Sequence, residues 1–204
     1  EPAAAPMKPT DNPFFVPSPL PLQAPRFDVL RAEHYLPAFT EGMAQQRAEV
    51  DRIAADPAAP TFANTVEAME RTGELLVRTS KVFFAMTQAN TDEALQKLES
   101  ELAPKLAAHR DAIYLDERLF ARVDTLFRKS AELVLDPEQK MLLQRYHRDF
   151  VRAGAQLPAA KKEQLRAINQ ELSSLATEFR KVLLAATKDG AVVVAEQEIG
   201  RAHV

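Results

Sequence analysis

The 204-residue chain has no cysteine, no tryptophan, only five glycines and a formal net charge of only −3. Each shortage closes a class of function. Without cysteine there can be no disulfide, zinc-thiolate site, iron-sulfur cluster or thiol nucleophile. The five glycines are scattered (Gly42, Gly73, Gly154, Gly190, Gly200), so no glycine-rich loop can cradle phosphate, which argues against nucleotide binding. Charge of one sign is also scarce. The 26 Lys and Arg are mixed among 29 Asp and Glu, so no concentrated basic face exists for a nucleic acid. The longest apolar runs are short ones such as Val82 to Met86, far from the about 18 to 20 residues of a membrane span.

Familiar catalytic motifs are missing too. There is no GxSxG elbow and no HExxH helix. A metal site on a helix needs His or carboxylate at i,i+3 or i,i+4, because only those positions share a face. His34 has Leu30, Arg31, Pro37 and Ala38 at those offsets, His109 has Lys105, Leu106, Ala112 and Ile113, and His147 has Leu143, Gln144, Phe150 and Val151. His203 lies in the last seven residues. Carboxylates such as Glu67, Glu70, Glu74, Glu99 and Glu101 recur at helical spacing and read as a solvated face. Tyr35, Tyr114 and Tyr146 read as core or rim. The chain is therefore expected to hold no catalytic, cofactor-binding or metal-ligating residue of its own.

What is present is a helical protein with a proline-rich start. The chain is 46% hydrophobic and 27% charged, enough for one folded domain with a real core. Eight prolines fall between Pro2 and Pro25, whereas only Pro104, Pro137 and Pro158 lie beyond Pro60. Residues 1–11 have nothing to bury and are expected to form a disordered Ala/Pro tail. From Asn12 to Phe27 prolines alternate with apolar residues, which predicts a non-helical, extended arm laid apolar side down on a helical body.

The body, residues 12–190, is expected to be all-α. One helix runs from about His34 to Ala55 and stops at Asp56-Pro57. A second starts after Asn64 as N-cap, with Glu67 at capping-box spacing, and continues to about Gln88. Its predicted buried stripe is Val66, Met69, Gly73, Leu76, Ser80, Phe83 and Thr87, with the small residues allowing close helix approach. A third is capped by Thr91 or Asp92, carries Leu95, Leu98, Leu102 and Leu106, and is expected to kink at Pro104. A fourth follows Asp116, with Leu119, Phe120, Val123, Leu126 and Phe127 inward. A fifth opens at Asp136-Pro137 and buries Leu142, Tyr146, Phe150 and Ala153. The last, from about Pro158 to Thr187, places Leu165, Ile168, Leu172, Leu175, Phe179, Val182 and Ala186 at strict 3-4 spacing, a seam like that of a coiled coil. Left exposed, such a seam would suit a stand-alone module that pairs with a partner helix.

Beyond that helix, residues 191–197 read as the start of a truncated continuation, with Ala191 to Val194 as a β-like segment that has nothing to pair with. Residues 198–204 (Glu198-Ile199-Gly200-Arg201-Ala202-His203-Val204) resemble the translation of a common sequencing-adapter sequence, so this tail is expected to be non-native.

The wording of the sequence adds a resemblance. Asn12-Pro13-Phe14-Phe15, Ala24-Pro25-Arg26-Phe27-Asp28, Glu33 to Phe39, Ala59 to Thr65, Val82 to Thr87, Leu119 to Asp124 and Leu183 to Ala186, among other segments, resemble the start of bacterial peptidyl-dipeptidases. These dipeptidyl carboxypeptidases belong to the thimet oligopeptidase-like zinc metallopeptidases. The resemblance covers about residues 12 to 194, and an oligopeptidase A-like metalloendopeptidase is the alternative within the family. It implies a neurolysin-like, two-lobed enzyme with one zinc ion, held by two His of an HExxH helix and a later Glu, that releases dipeptides from the C-terminus of oligopeptides. It further implies that this segment is the N-terminal lobe, one wall of a channel that admits short peptides, inactive alone and binding no zinc. The complete enzyme would be a monomer with no nucleic-acid or membrane partner. The Ala/Pro tail favours a periplasmic over a cytoplasmic location.

Overall fold

A computed structural model describes residues 12–191, and among them every regular element is helical. Seven α-helices follow in order: α1 (Ala32–Ala54), α2 (Ala68–Glu70), α3 (Glu74–Ala89), α4 (Glu93–Tyr114), α5 (Glu117–Arg128), α6 (Pro137–Ala153) and α7 (Ala159–Asp189). The expected tail at 1–11, all but Ala191 of the expected β-like segment, and the adapter-like tail at 198–204 lie outside the described residues.

Cross-helix pairs fix the topology. Tyr35 and Phe39 meet Phe83 while Gln46 meets Thr72, so α1 and α3 run antiparallel. Asp124 pairs with His147 and Phe120 with Phe150, which sets α5 against α6 in the same sense. Asp111 holds Asn169 while Glu99 holds Arg180, so α7 returns antiparallel along α4.

Two apolar clusters form, one at each end of the body. The first joins Phe14, Tyr35, Phe39, Leu76, Phe83 and Leu102, and its rings stack edge to face at about 5 Å separations that suit aromatic quadrupoles. The second joins Val50, Val66, Ile113, Leu119, Val123, Leu143 and Phe150. Helices α1 and α4 contribute to both. Among the described residues every buried hydrophobic side chain lies at or before Ala155, so α7 adds none.

Most helix starts are where capping chemistry puts them. Asp92 accepts from the Leu95 N–H, Asp116 from Arg118 and Leu119, and Asp136 from Gln139 in a reciprocal capping box with Pro137 at the first helical position. α4 runs on through Pro104 to Tyr114.

The expected second helix is corrected in two ways. Its cap is Thr61, not Asn64. Asn64 sits at the third position and returns a bond to the Thr61 N–H, opening a π-helical segment, Phe62–Glu67, that runs into α2. The chain then breaks at Gly73, whose φ of +75° is left-handed and whose N–H donates to Glu49 Oε2 at 2.8 Å. The break re-phases the buried face of α3 to Leu75, Leu76, Thr79, Val82 and Phe83, leaving Ser80 and Thr87 only partly covered. Close approach of helices does occur, but at Gly42. A Cβ there would lie 2.9 Å from the Leu76 backbone.

Three smaller expectations change. The arm is not wholly extended: 3-10 turns occupy Pro13–Phe15 and Pro21–Gln23. Only its beginning lies on the body, where Phe14 is buried and Asn12 Nδ2 donates to the His34 carbonyl at 2.8 Å, while Val16, Leu20, Leu22 and Phe27 face solvent. In α6 Leu143 is the fully buried leucine, while Leu142 and Tyr146 are half-buried.

Candidate functional site

Function departs from packing where charge is buried or apolar surface is exposed. The histidines are dispersed and engaged. His34 Nδ1 receives the Arg31 N–H as part of the α1 cap. His109 Nε2 lies 2.7 Å from Gln46 Oε1, and burial together with Arg47 pushes its pKa down, so it is neutral at neutral pH. His147 stacks flat on Phe127 at 3.8 Å and meets Asp124. Among the described residues no three His, Asp or Glu converge on a point that could hold a metal. The described residues do not fit a zinc site.

The carboxylates are mostly what their spacing implied. Glu67, Glu74 and Glu101 pair with Arg71, Arg78 and Lys105 one turn on, on the surface. Two do more. Glu70 accepts a short hydrogen bond from the Tyr146 hydroxyl, and burial with that bond raises the phenol pKa. Glu99 reaches Arg180 of α7 at 3.0 Å. Tyr35 is core, and Tyr114 packs on Phe150.

The polar side chains that matter most join elements. Arg47 of α1 donates to the Ala112 carbonyl and bonds Asp51 and Asp116, and Arg118 bridges the same two carboxylates. Burial works to raise the Asp116 carboxyl, but the N–H groups of Leu119 and Arg118 and the Arg118 guanidinium outweigh it and hold the pKa below the usual range. Arg122, 7% exposed, donates to the carbonyls of Asp56 and Ala58, which pins the loop after α1. These groups neutralise one another. A shallow recess of about 310 Å³ beside the start of α7 is likewise self-paired, Lys162 with Glu117, Arg166 with Glu163 and Arg118 with Asp116. It has no uncommitted charge for a ligand.

The unusual exposure belongs to α7. Its seam points away from the body: Ile168 is 58% exposed, Leu172 61%, Leu175 59% and Phe179 66%. The face turned to α4 and the start of α5 is polar instead. Lys162 Nζ donates to Glu117 at 2.9 Å, Asn169 Nδ2 to Asp111 at 2.9 Å and Arg180 to Glu99, while Thr177 is 2% exposed. Sequence reasoning missed this face, although Lys162, Arg166, Asn169, Ser173, Thr177 and Arg180 keep the same 3-4 spacing as the apolar row. Tracing polar as well as apolar rows finds it.

No family model matches the chain. It is 47% identical over 185 residues to the dipeptidyl carboxypeptidase of Escherichia coli (strain K12) and 46% identical over 183 residues to that of Salmonella typhimurium (strain LT2), matches covering 91% and 90% of this chain and 27% of each relative. Oligopeptidase A of Escherichia coli is 23% identical over 177 residues, 87% of this chain and 26% of that protein. Along nine-tenths of its length the chain is thus similar to the dipeptidyl carboxypeptidases, and it spans about 27% of the length of the curated relatives it matches.

Proposed function

We propose that the chain is the N-terminal, channel-wall portion of a peptidase that releases dipeptides from the C-terminus of oligopeptides. The observation that carries this reading is the pairing of 47% identity over 91% of the chain with coverage of only 27% of the relative. Its role is positioning and exclusion: rigid helices that admit an unfolded oligopeptide and reject a folded protein. The zinc implied by the family resemblance would polarise the scissile carbonyl and activate water. By the family resemblance its ligands, two His of an HExxH helix and a later Glu, would lie in the continuation of the polypeptide. The complete enzyme works as a monomer in the periplasm. Oligopeptidase A-like endopeptidase activity is the alternative within the family.

A second reading, a stand-alone helical module that binds a partner through α7, is favoured by the exposure of the seam. The source gene separates the two. Sequenced past the codon for Gln197, it continues into an HExxH-containing frame on the first reading. Its full product then releases His-Leu from hippuryl-His-Leu in a chelator-sensitive manner, while the 204-residue chain neither retains zinc after dialysis nor cleaves. A stop directly after Val204, or zinc-dependent cleavage by the 204-residue chain, overturns the first reading.

A further inference from the structure

The exposed stripe of α7 has the character of an interface. Ile168, Leu172, Leu175, Phe179, Val182 and Leu183 are each more than half exposed and lie within one band of a 31-residue helix. A lone exposed leucine is ordinary, but a continuous apolar stripe on the outer face of a helix whose inner face is polar is not. The helix is oriented by that inner face. Asn169 bonds both oxygens of buried Asp111, and Lys162 is buried against Glu117, so turning the stripe inward would break both pairs.

We propose that this stripe is the seat of the polypeptide that continues the chain, covered by an apolar-faced helix of that continuation. The proposal rests on the peptidase reading above. Relatives more than three times as long supply the occupant, since about three-quarters of their length has no counterpart here. The occupant is covalently attached, so it is present at an effective concentration of millimolar order, which a free partner does not reach. Charge argues against a second copy. Glu171, Glu178 and Asp189 are exposed along one edge of the stripe by helical phase, and two copies packed antiparallel would set these acids against each other. The edge calls for basic residues on the covering helix.

The chain has no cysteine, which allows a direct test. Phe179→Cys and, as an exposed reference, Leu22→Cys are made in the 204-residue chain and in the full-length gene product, and the rate of maleimide labelling at each site is read by peptide mass spectrometry. Both sites label at similar rates in the 204-residue chain. In the full-length protein Cys at 179 slows by about tenfold or more relative to the reference, as burial of a thiol demands. Hydrogen exchange over residues 168–183 of both unsubstituted proteins gives the same comparison without a substitution. Equal labelling at 179 in both lengths overturns the proposal, as does protection already present in a 204-residue chain that sediments as a dimer. A stop codon directly after Val204 also overturns it. Dipeptide release by the full-length protein is read separately: protection without release keeps the interface and removes the peptidase reading, and release without protection does the reverse.

Discussion

Helices α1 and α7 are both long, and they solve the same problem in opposite directions. α1 buries Tyr35, Ala38, Phe39 and Val50 and lies in both apolar clusters. α7 buries only Lys162 and Thr177 and turns its leucines out. Periodicity is equally good in both. What differs is the surface each was given to meet: α1 is surrounded by apolar faces of α3, α4 and α5, whereas the side of α4 facing α7 presents Glu99 and Asp111. An amphipathic pattern thus specifies that a helix has two faces, and the neighbour decides which face turns inward.

The contrast is broken most directly by truncating one phenylalanine on each helix. Phe39→Ala in the 204-residue chain is expected to cost about 3 to 5 kcal/mol in urea unfolding, while Phe179→Ala changes stability by no more than about 0.5 kcal/mol. Equal losses would erase the distinction. Gly42→Val tests the closeness of α1 to α3, because any Cβ there meets the Leu76 backbone, and about 1 to 3 kcal/mol is expected to be lost. On α7 the polar face should be the sensitive one: Asn169→Ala strips buried Asp111 of its donor and costs about 1 to 2 kcal/mol. Thr79 of α3 has a fully buried hydroxyl without a hydrogen-bond partner, so Thr79→Val should raise stability by about 1 kcal/mol.

The smallest effect is a pH dependence. Because burial and Arg47 lower the folded pKa of His109, the unfolded chain takes up the proton first as pH falls. The contribution of His109 is complete above the unfolded value of about 6.5 and declines as pH falls from there through the lowered folded value. His109→Gln should flatten the fall in urea midpoint between about pH 7 and pH 5.5. An unchanged slope would assign that fall to other groups.

Much of this was legible in residues. Asp116 and Asp136 announced two helix starts and the pair Thr91 or Asp92 a third, at which Asp92 is the cap, because a side-chain acceptor before an apolar-periodic run is a local signal. The break at Gly73 was not, since it depends on a left-handed φ held by Glu49 from another helix. The seam of α7 was read correctly as a row and could not be placed, because its inner neighbour is selected by Asp111 and Glu117, 58 and 45 residues away in sequence. The histidines have no His or carboxylate at i,i+3 or i,i+4 in the sequence. Their actual partners, Gln46 and Asp124, were tertiary facts.

The order in which the core is built along the chain also has a consequence in time. With the last buried hydrophobic side chain among the described residues at Ala155, the two clusters can close while α7 is still being synthesised. The ribosome would therefore release a finished scaffold first and a greasy helix second. Under the covering proposed above, the nascent chain would carry its apolar stripe in water from that moment until the covering segment is made, and this interval is when a chaperone would have something to hold.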